Sequence, residues 1–92
     1  MDSVGVFDAL VAETVAGVRS EEPGTLVYGC HEVRDDPRAR IFYELYEDEE
    51  AFGTHEEHEH VKHFLNERTK YLTSAPRVEF LNFTLGKGVP LG

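Results

Sequence analysis

Hydrophobic residues recur along this chain in three rhythms. From residue 4 to residue 19 they recur at three- and four-residue spacing, with Phe7, Leu10, Val11, Val15 and Val18 on one stripe and Glu13 and Arg19 facing away. That spacing predicts an amphipathic helix, capped by Asp2 or Ser3 and stopped by the turn residues Glu21-Glu22-Pro23-Gly24. Thr25 to Val33 and Arg40 to Glu47 then read as strands joined across Arg34-Asp35-Asp36-Pro37-Arg38, a hairpin with a slightly long loop. A second helical region opens at Asp48, a capping residue followed by Glu49 and Glu50, which suit the positive end of a helix dipole. Ala51, Phe52 and His55 share one face of it; Val61, Phe64, Leu65, Tyr71 and Leu72 form a further stripe, with a break near Glu57 to Glu59. Arg77 to Leu85 reads as a third strand closed by Gly86-Lys87-Gly88, and Val89 to Gly92 as a short tail. With no internal repeat, low-complexity stretch or linker, residues 1–92 are expected to form a single domain.

The strands carry an assembly signal. Ile41, Tyr43 and Leu45 alternate with Phe42, Glu44 and Tyr46, and Val78, Phe80, Asn82 and Thr84 alternate with Leu81, Phe83 and Leu85. Both faces are substantially apolar, whereas a half-solvated antiparallel sheet alternates apolar and polar. Helices of so short a chain cover one face. A second copy of the sheet is the simplest cover for the other, which predicts a homodimer.

Composition narrows the function classes. The net charge of −9, with nine basic residues that form no stripe, argues against nucleic acid and anionic membrane surfaces as partners. With 40% hydrophobic residues, including six Phe and four Tyr, the chain has the material for a core. Cys30 is the lone cysteine, which excludes an internal disulfide and fits a reducing compartment. No apolar run approaches the roughly 20 residues of a membrane span, and the N-terminus lacks the pattern of a signal peptide. A cytoplasmic protein is expected.

Four of the five histidines stand in Thr54-His55-Glu56-Glu57-His58-Glu59-His60-Val61-Lys62-His63. The zinc signature His-Glu-x-x-His needs histidines four apart, and both counts fail: Glu59 follows His55, and Lys62 follows His58. Glu57 and His60 give one Glu-x-x-His pair, where a di-iron bundle needs two and more carboxylates. No physiological metal is expected, and casual nickel or zinc binding through His55, His58 or Glu59 is the stronger metal reading. His58 and His63 read as members of a solvated acidic face. His55 follows Ala51 and Phe52 on their inward face, and His60 sits beside the helix break. Either suits a general base, since imidazole titrates near neutrality; either also suits a structural histidine that caps a helix end. Tyr28 and Tyr46 on the hairpin could hydrogen-bond a phenolic substrate, or form a core tyrosine cluster. Glu44 would be costly to bury unpaired, with Arg40, Arg77 or His31 as partner. Cys30 has no activating neighbour in sequence and reads as a small core residue.

The order helix, hairpin, helix pair, strand approaches the ferredoxin-like βαββαβ pattern. The residues Glu22-Pro23-Gly24-Thr25-Leu26 with Tyr28, then Asp35-Asp36-Pro37 leading to Phe42-Tyr43-Glu44 and Tyr46, then Asp48-Glu49-Glu50-Ala51-Phe52 followed by His55, His60, Val61 and Phe64, form an ordered set. Over about residues 7 to 86 this set resembles the antibiotic-biosynthesis monooxygenase family. The resemblance implies an α+β, ferredoxin-like antiparallel sheet with helices on one face, assembled as a dimeric α/β barrel. It also implies oxidation of a small aromatic (a hydroquinone, anthrone or polyketide phenol) by dioxygen with no cofactor and no metal. His55 and His60 would be the catalytic residues, and Tyr28, Tyr46, Glu44, Phe52 and Phe64 would contact substrate. The alternative is a non-catalytic binding or accessory protein of the same fold. The chain departs from the family pattern in three respects. The strand expected before the first helix is short or missing, so that the sheet is rearranged or completed by another chain. There is no Trp. His58 and His63 are additional.

Overall fold

The computed structural model describes residues 3–88. Helix α1 spans Ser3–Glu21, strands β1 Thr25–Val33 and β2 Asp36–Tyr46 form an antiparallel hairpin, and helices α2 Glu49–Glu57 and α3 Glu59–Glu67 lead into a 3-10 turn, Arg68–Lys70. Ser3 is the first helical residue; the alternative cap, Asp2, lies outside the described residues, as do Val89 to Gly92 of the expected tail.

α1 forms because its apolar residues fall on a stripe: Leu10, Val11, Thr14 and Val18 are buried. Thr14, the most enclosed of them, satisfies its hydroxyl by donating to the Leu10 carbonyl at 2.9 Å. Leu10, Val11 and Phe64 make the centre of the core, with Phe7, Val15, Cys30, Phe42, Leu65 and Tyr71 packed against it. The Phe64 ring lies 6.0 Å from Phe7 and 5.7 Å from Phe42, so one aromatic from α3 joins α1 to the sheet. Outside the core, Asp8 on α1 takes a two-pronged hydrogen bond from Arg40 on β2, at 3.0 and 2.8 Å, and that guanidinium holds the Asp8 carboxyl below its ordinary value.

The hairpin starts earlier on its second strand than expected. Asp36 already pairs with Val33, and the register is irregular between Glu32 and Val33, where residues 37–39 are accommodated. A second irregularity has more consequence. Thr25 pairs with Tyr46 and Val27 with Leu45, which leaves Leu26 as the extra residue of a β-bulge.

The expected break between the helices falls at His58, whose extended backbone (φ −69, ψ 141) ends α2 and begins α3. Asp48 caps α2, its carboxylate accepting from the Ala51 amide at 2.8 Å.

The expected third strand is a correction. Residues 77–85 form no strand, and Val78, Phe80, Leu81, Phe83 and Leu85 are exposed. A strand needs a neighbour to take its amides and carbonyls. Among the described residues β1 and β2 pair only with each other, so residues 77–85 have no strand beside them. The sheet has two strands among the described residues. Its outer face is likewise open, with Ile41 61% and Tyr43 45% exposed.

The core arrangement makes a stability prediction. Phe64→Ala should cost about 3–5 kcal/mol in urea denaturation, the usual range for emptying a buried phenylalanine site. A loss under about 1 kcal/mol would show that Phe64 does not hold α1 to the sheet.

Candidate active site

Glu22 immediately follows α1, in the turn that leads to β1, and is buried, with 2% of its side-chain surface exposed. Its carboxylate accepts from Thr25 Oγ1 at 2.7 Å and from His55 Nδ1 at 2.6 Å, and makes a very short contact with His60 Nε2. Burial pushes the Glu22 carboxyl up, but the hydrogen bonds from His60, Thr25 and His55 outweigh it and hold the group below its ordinary value. Glu22 is therefore an anion at neutral pH, and an ionised carboxylate only accepts. Its partners must donate. That assigns a proton to Nδ1 of His55 and to Nε2 of His60, and leaves the opposite nitrogen of each ring to face other partners.

Three local features bring these groups together. The first is the break at His58. On one continuous helix residues five apart point about 140° from each other; the break lets His55 from α2 and His60 from α3 turn toward the same carboxylate. The second is Gly17 of α1. A Cβ there would stand 2.5 Å from His60 Cγ and 2.6 Å from its Nδ1, so the His60 ring lies directly on the glycine. The third is the bulge at Leu26. Residues three apart on a regular strand face opposite ways, yet Thr25 bonds Glu22 and Tyr28 packs on His55, so both face the helices.

The other edge of His55 meets aromatic residues. Its ring centroid lies 5.4 Å from Tyr28, 5.1 Å from Tyr46 and 6.4 Å from Phe52. Nε2 is 3.9 Å from Glu44 Oε1, and Glu44 accepts from the Tyr46 hydroxyl at 2.5 Å. Burial raises both phenols well above their ordinary value; for Tyr28 the Glu44 charge adds to it, and for Tyr46 the hydrogen bond to Glu44 does. Both remain neutral hydrogen-bond donors. Burial likewise raises the Cys30 thiol, which suits a packing residue rather than a nucleophile.

The expected ion pair for Glu44 is a correction. Arg40 bonds Asp8, Arg77 bonds Glu79, and His31 Nδ1 bonds the Ile41 carbonyl. Glu44 needs no cation because 32% of its side-chain surface stays in solvent and Tyr46 serves one oxygen. The structure thus gathers His55, His60, Tyr28, Tyr46, Glu44 and Phe52 into one neighbourhood, whereas Phe64 sits in the core. His63 is exposed and belongs to neither. Glu22 and Gly17 are additions that the sequence reading did not make. Glu22 was legible only as a turn residue, but a glycine inside a helix costs about 1 kcal/mol against alanine, and that cost signals a close approach.

A cleft of about 370 Å³ lies beside this cluster, lined by Val15, Val18 and Arg19 of α1, Glu22 and Pro23 of the turn, and Thr25, Leu26 and Tyr28 of β1. Glu22 and Tyr28 belong to both cleft and cluster. A wider depression of about 610 Å³ on α3, lined by Glu59, Lys62, His63, Leu65 and Asn66, is shallow and touches none of the cluster's hydrogen-bonded groups. The chemistry decides between them in favour of the cleft.

The family model described as antibiotic biosynthesis monooxygenase matches residues 2–67, which include every member of the cluster. A crystal structure of a candidate antibiotic biosynthesis monooxygenase from Caulobacter crescentus CB15 is similar over 86% of this chain and 74% of that one, with a TM-score of 0.80 and 24% identity. That likeness establishes the α+β, ferredoxin-like fold. No curated protein matches the chain.

The packing of His60 on Gly17 is testable with paired glycine substitutions. Gly17→Ala should lower the melting temperature, although alanine is the better helix former, because the methyl group displaces the His60 ring. Gly53→Ala, on α2 with nothing within 4 Å of the added carbon, should stabilise by about 0.5–1 kcal/mol. Equal gains at both positions would contradict the contact.

Proposed function

The chain belongs to the antibiotic biosynthesis monooxygenase family, and on that premise we propose that it is a cofactor-independent monooxygenase that oxidises a small aromatic, a hydroquinone, anthrone or polyketide phenol, to a quinone. The observation that carries this reading is the Glu22–His55 pair. A buried anion on Nδ1 fixes the imidazole tautomer, leaves Nε2 as the base and stabilises the imidazolium that proton uptake creates, the division of labour known from carboxylate–histidine pairs in hydrolases.

The reaction needs little else from the protein. For an anthrone-type substrate, Nε2 of His55 removes a proton from the benzylic carbon. The resulting anion gives one electron to dioxygen, and the radical pair collapses to a carbon–oxygen bond. His55 returns its proton to the peroxide. Loss of the remaining benzylic hydrogen breaks the O–O bond, so that one oxygen atom stays as the new carbonyl and the other leaves in water. The substrate supplies the electrons, and the protein supplies orientation, a dry site and proton transfer. Tyr28, Tyr46 and Phe52 provide ring surface beside the base, and the neutral Tyr28 hydroxyl donates to a substrate oxygen while Tyr46 donates to Glu44. Glu44 and Tyr46 stand across from Nε2 and can relay a second proton. His60 acts through Glu22 rather than on the substrate.

The active form in this reading is a cytoplasmic homodimer. Ile41 and Tyr43 on the open sheet face and the apolar residues of 78–85 support it. Their burial would remove on the order of 900 Å² per chain, comparable to the roughly 800 Å² per partner of a standard interface.

Two measurements test these statements. Oxygen uptake with anthrone or a naphthohydroquinone should fall about a hundredfold or more in His55→Ala, and Glu22→Gln should show a comparable loss; the exposed control His63→Ala should match the parent. Equal rates in His55→Ala and the parent would remove His55 from the mechanism. Sedimentation at micromolar concentration should give the dimer, and Phe80→Ser with Leu81→Ser should shift it toward monomer. A stable monomer in the parent protein would end the dimer claim.

A further inference from the structure

The second histidine on Glu22 faces a different neighbourhood from the first. Its Nε2–H is committed to Glu22, so Nδ1 of His60 is directed away from that carboxylate. Nδ1 meets a second carboxylate: Glu21 Oε2 lies 3.4 Å away. His58 stacks beside it, ring centroids 5.0 Å apart. One ligating atom from each of Glu21, His58 and His60 lies within 4.8 Å of the other two. Three potential ligand atoms at this spacing can close on one positive centre.

We propose that Glu21, His58 and His60 form a binding site for a divalent cation of the zinc class, with Glu22 as the carboxylate behind the His60 ring. The donor set is two imidazole nitrogens and one carboxylate oxygen. That set favours zinc and its transition-metal neighbours over magnesium or calcium, which prefer oxygen ligands alone. Three protein ligands leave a fourth tetrahedral position for water. A metal-bound histidine ordinarily gives its other N–H to a carboxylate, which fixes the tautomer and raises the ring's basicity, and His60 already has this partner. The His60 ring is also held in place by the close approach to Gly17. Tetrahedral zinc wants its ligand atoms roughly 3.3 Å apart. Glu21, with 61% of its side chain exposed, and His58, only partly buried, have room to rotate inward while His60 stays fixed. Glu21 is the last residue of α1, where a cation also meets the negative end of the helix dipole.

The donors come from the end of α1, the α2–α3 junction and the first turn of α3. No sequence spacing signature covers them, so the failed His-Glu-x-x-His count has no bearing on this site. Nor does the oxidation need it, since no step there passes through a metal. Bound zinc would tie the end of α1 to the α2–α3 junction and would stabilise the fold.

The experiment is a titration of tag-free, chelator-stripped protein with zinc by calorimetry, with cobalt(II) absorption as a second readout. One equivalent per chain is expected, with a rise in melting temperature. His58→Ala and Glu21→Gln, both solvent-side changes, should each weaken binding by about tenfold or more, while His63→Ala and His31→Ala leave it unchanged and circular dichroism stays that of the parent. Absence of saturable binding overturns the proposal. So does saturable binding that survives both His58→Ala and Glu21→Gln, or that His63→Ala weakens equally, since such an ion is adventitious. Because no substrate is involved, failure of the oxidation reading leaves this result interpretable.

Discussion

Everything near the cleft depends on keeping one carboxylate charged inside the protein. An ion removed from water carries a penalty of several kcal/mol unless its lone pairs are served, and Glu22 is served by Thr25, His55 and His60. Those donors come from β1, α2 and α3, while Glu22 itself follows α1. The requirement to satisfy one anion thus specifies how four elements meet. Apolar contacts among Leu10, Val11 and Phe64 draw the same elements together without that degree of directional demand.

The same carboxylate separates two histidines by their free nitrogens. One ring turns its second nitrogen toward Tyr28, Tyr46 and Glu44, and the other toward Glu21 and His58. Proton transfer suits the first environment, with neutral phenols and an apolar wall beside the base. Cation coordination suits the second, which is closer to solvent and richer in donors. Identical side chains acquire different chemistry here because a shared partner fixes one nitrogen of each and the surroundings define the other.

Local order was legible in the sequence because it is written at short range. The stripe of α1, the hairpin, the Asp48 cap and the break beside Glu57 to Glu59 all follow from spacing and capping residues. The inward face of His55 followed from Ala51 and Phe52. Glu22 was not legible as a site residue, since its histidine partners stand 33 and 38 residues away and its immediate neighbours spell a turn. Residues 77–85 show the opposite failure. Their alternation reads as a strand, but a strand is a relation between two segments, and the alternation holds no information about a neighbour. Glu44 was expected to seek a cation because its flanking aromatics imply burial; the hairpin leaves it at a rim that water reaches.

The bulge at Leu26 gives the hairpin a further meaning. With that single extra residue, Thr25 holds the carboxylate from one side and Tyr28 walls the imidazole from another, although the strand's own pleat would set them back to back. The insertion works as a phase shifter. It lets a strand present two successive working residues on the same side, at the cost of one residue that contributes no ladder pairing. Chain length at this point, rather than side-chain identity, is what the site cannot lose: a one-residue deletion would leave every functional group in the sequence and disperse them over the two sides of the sheet.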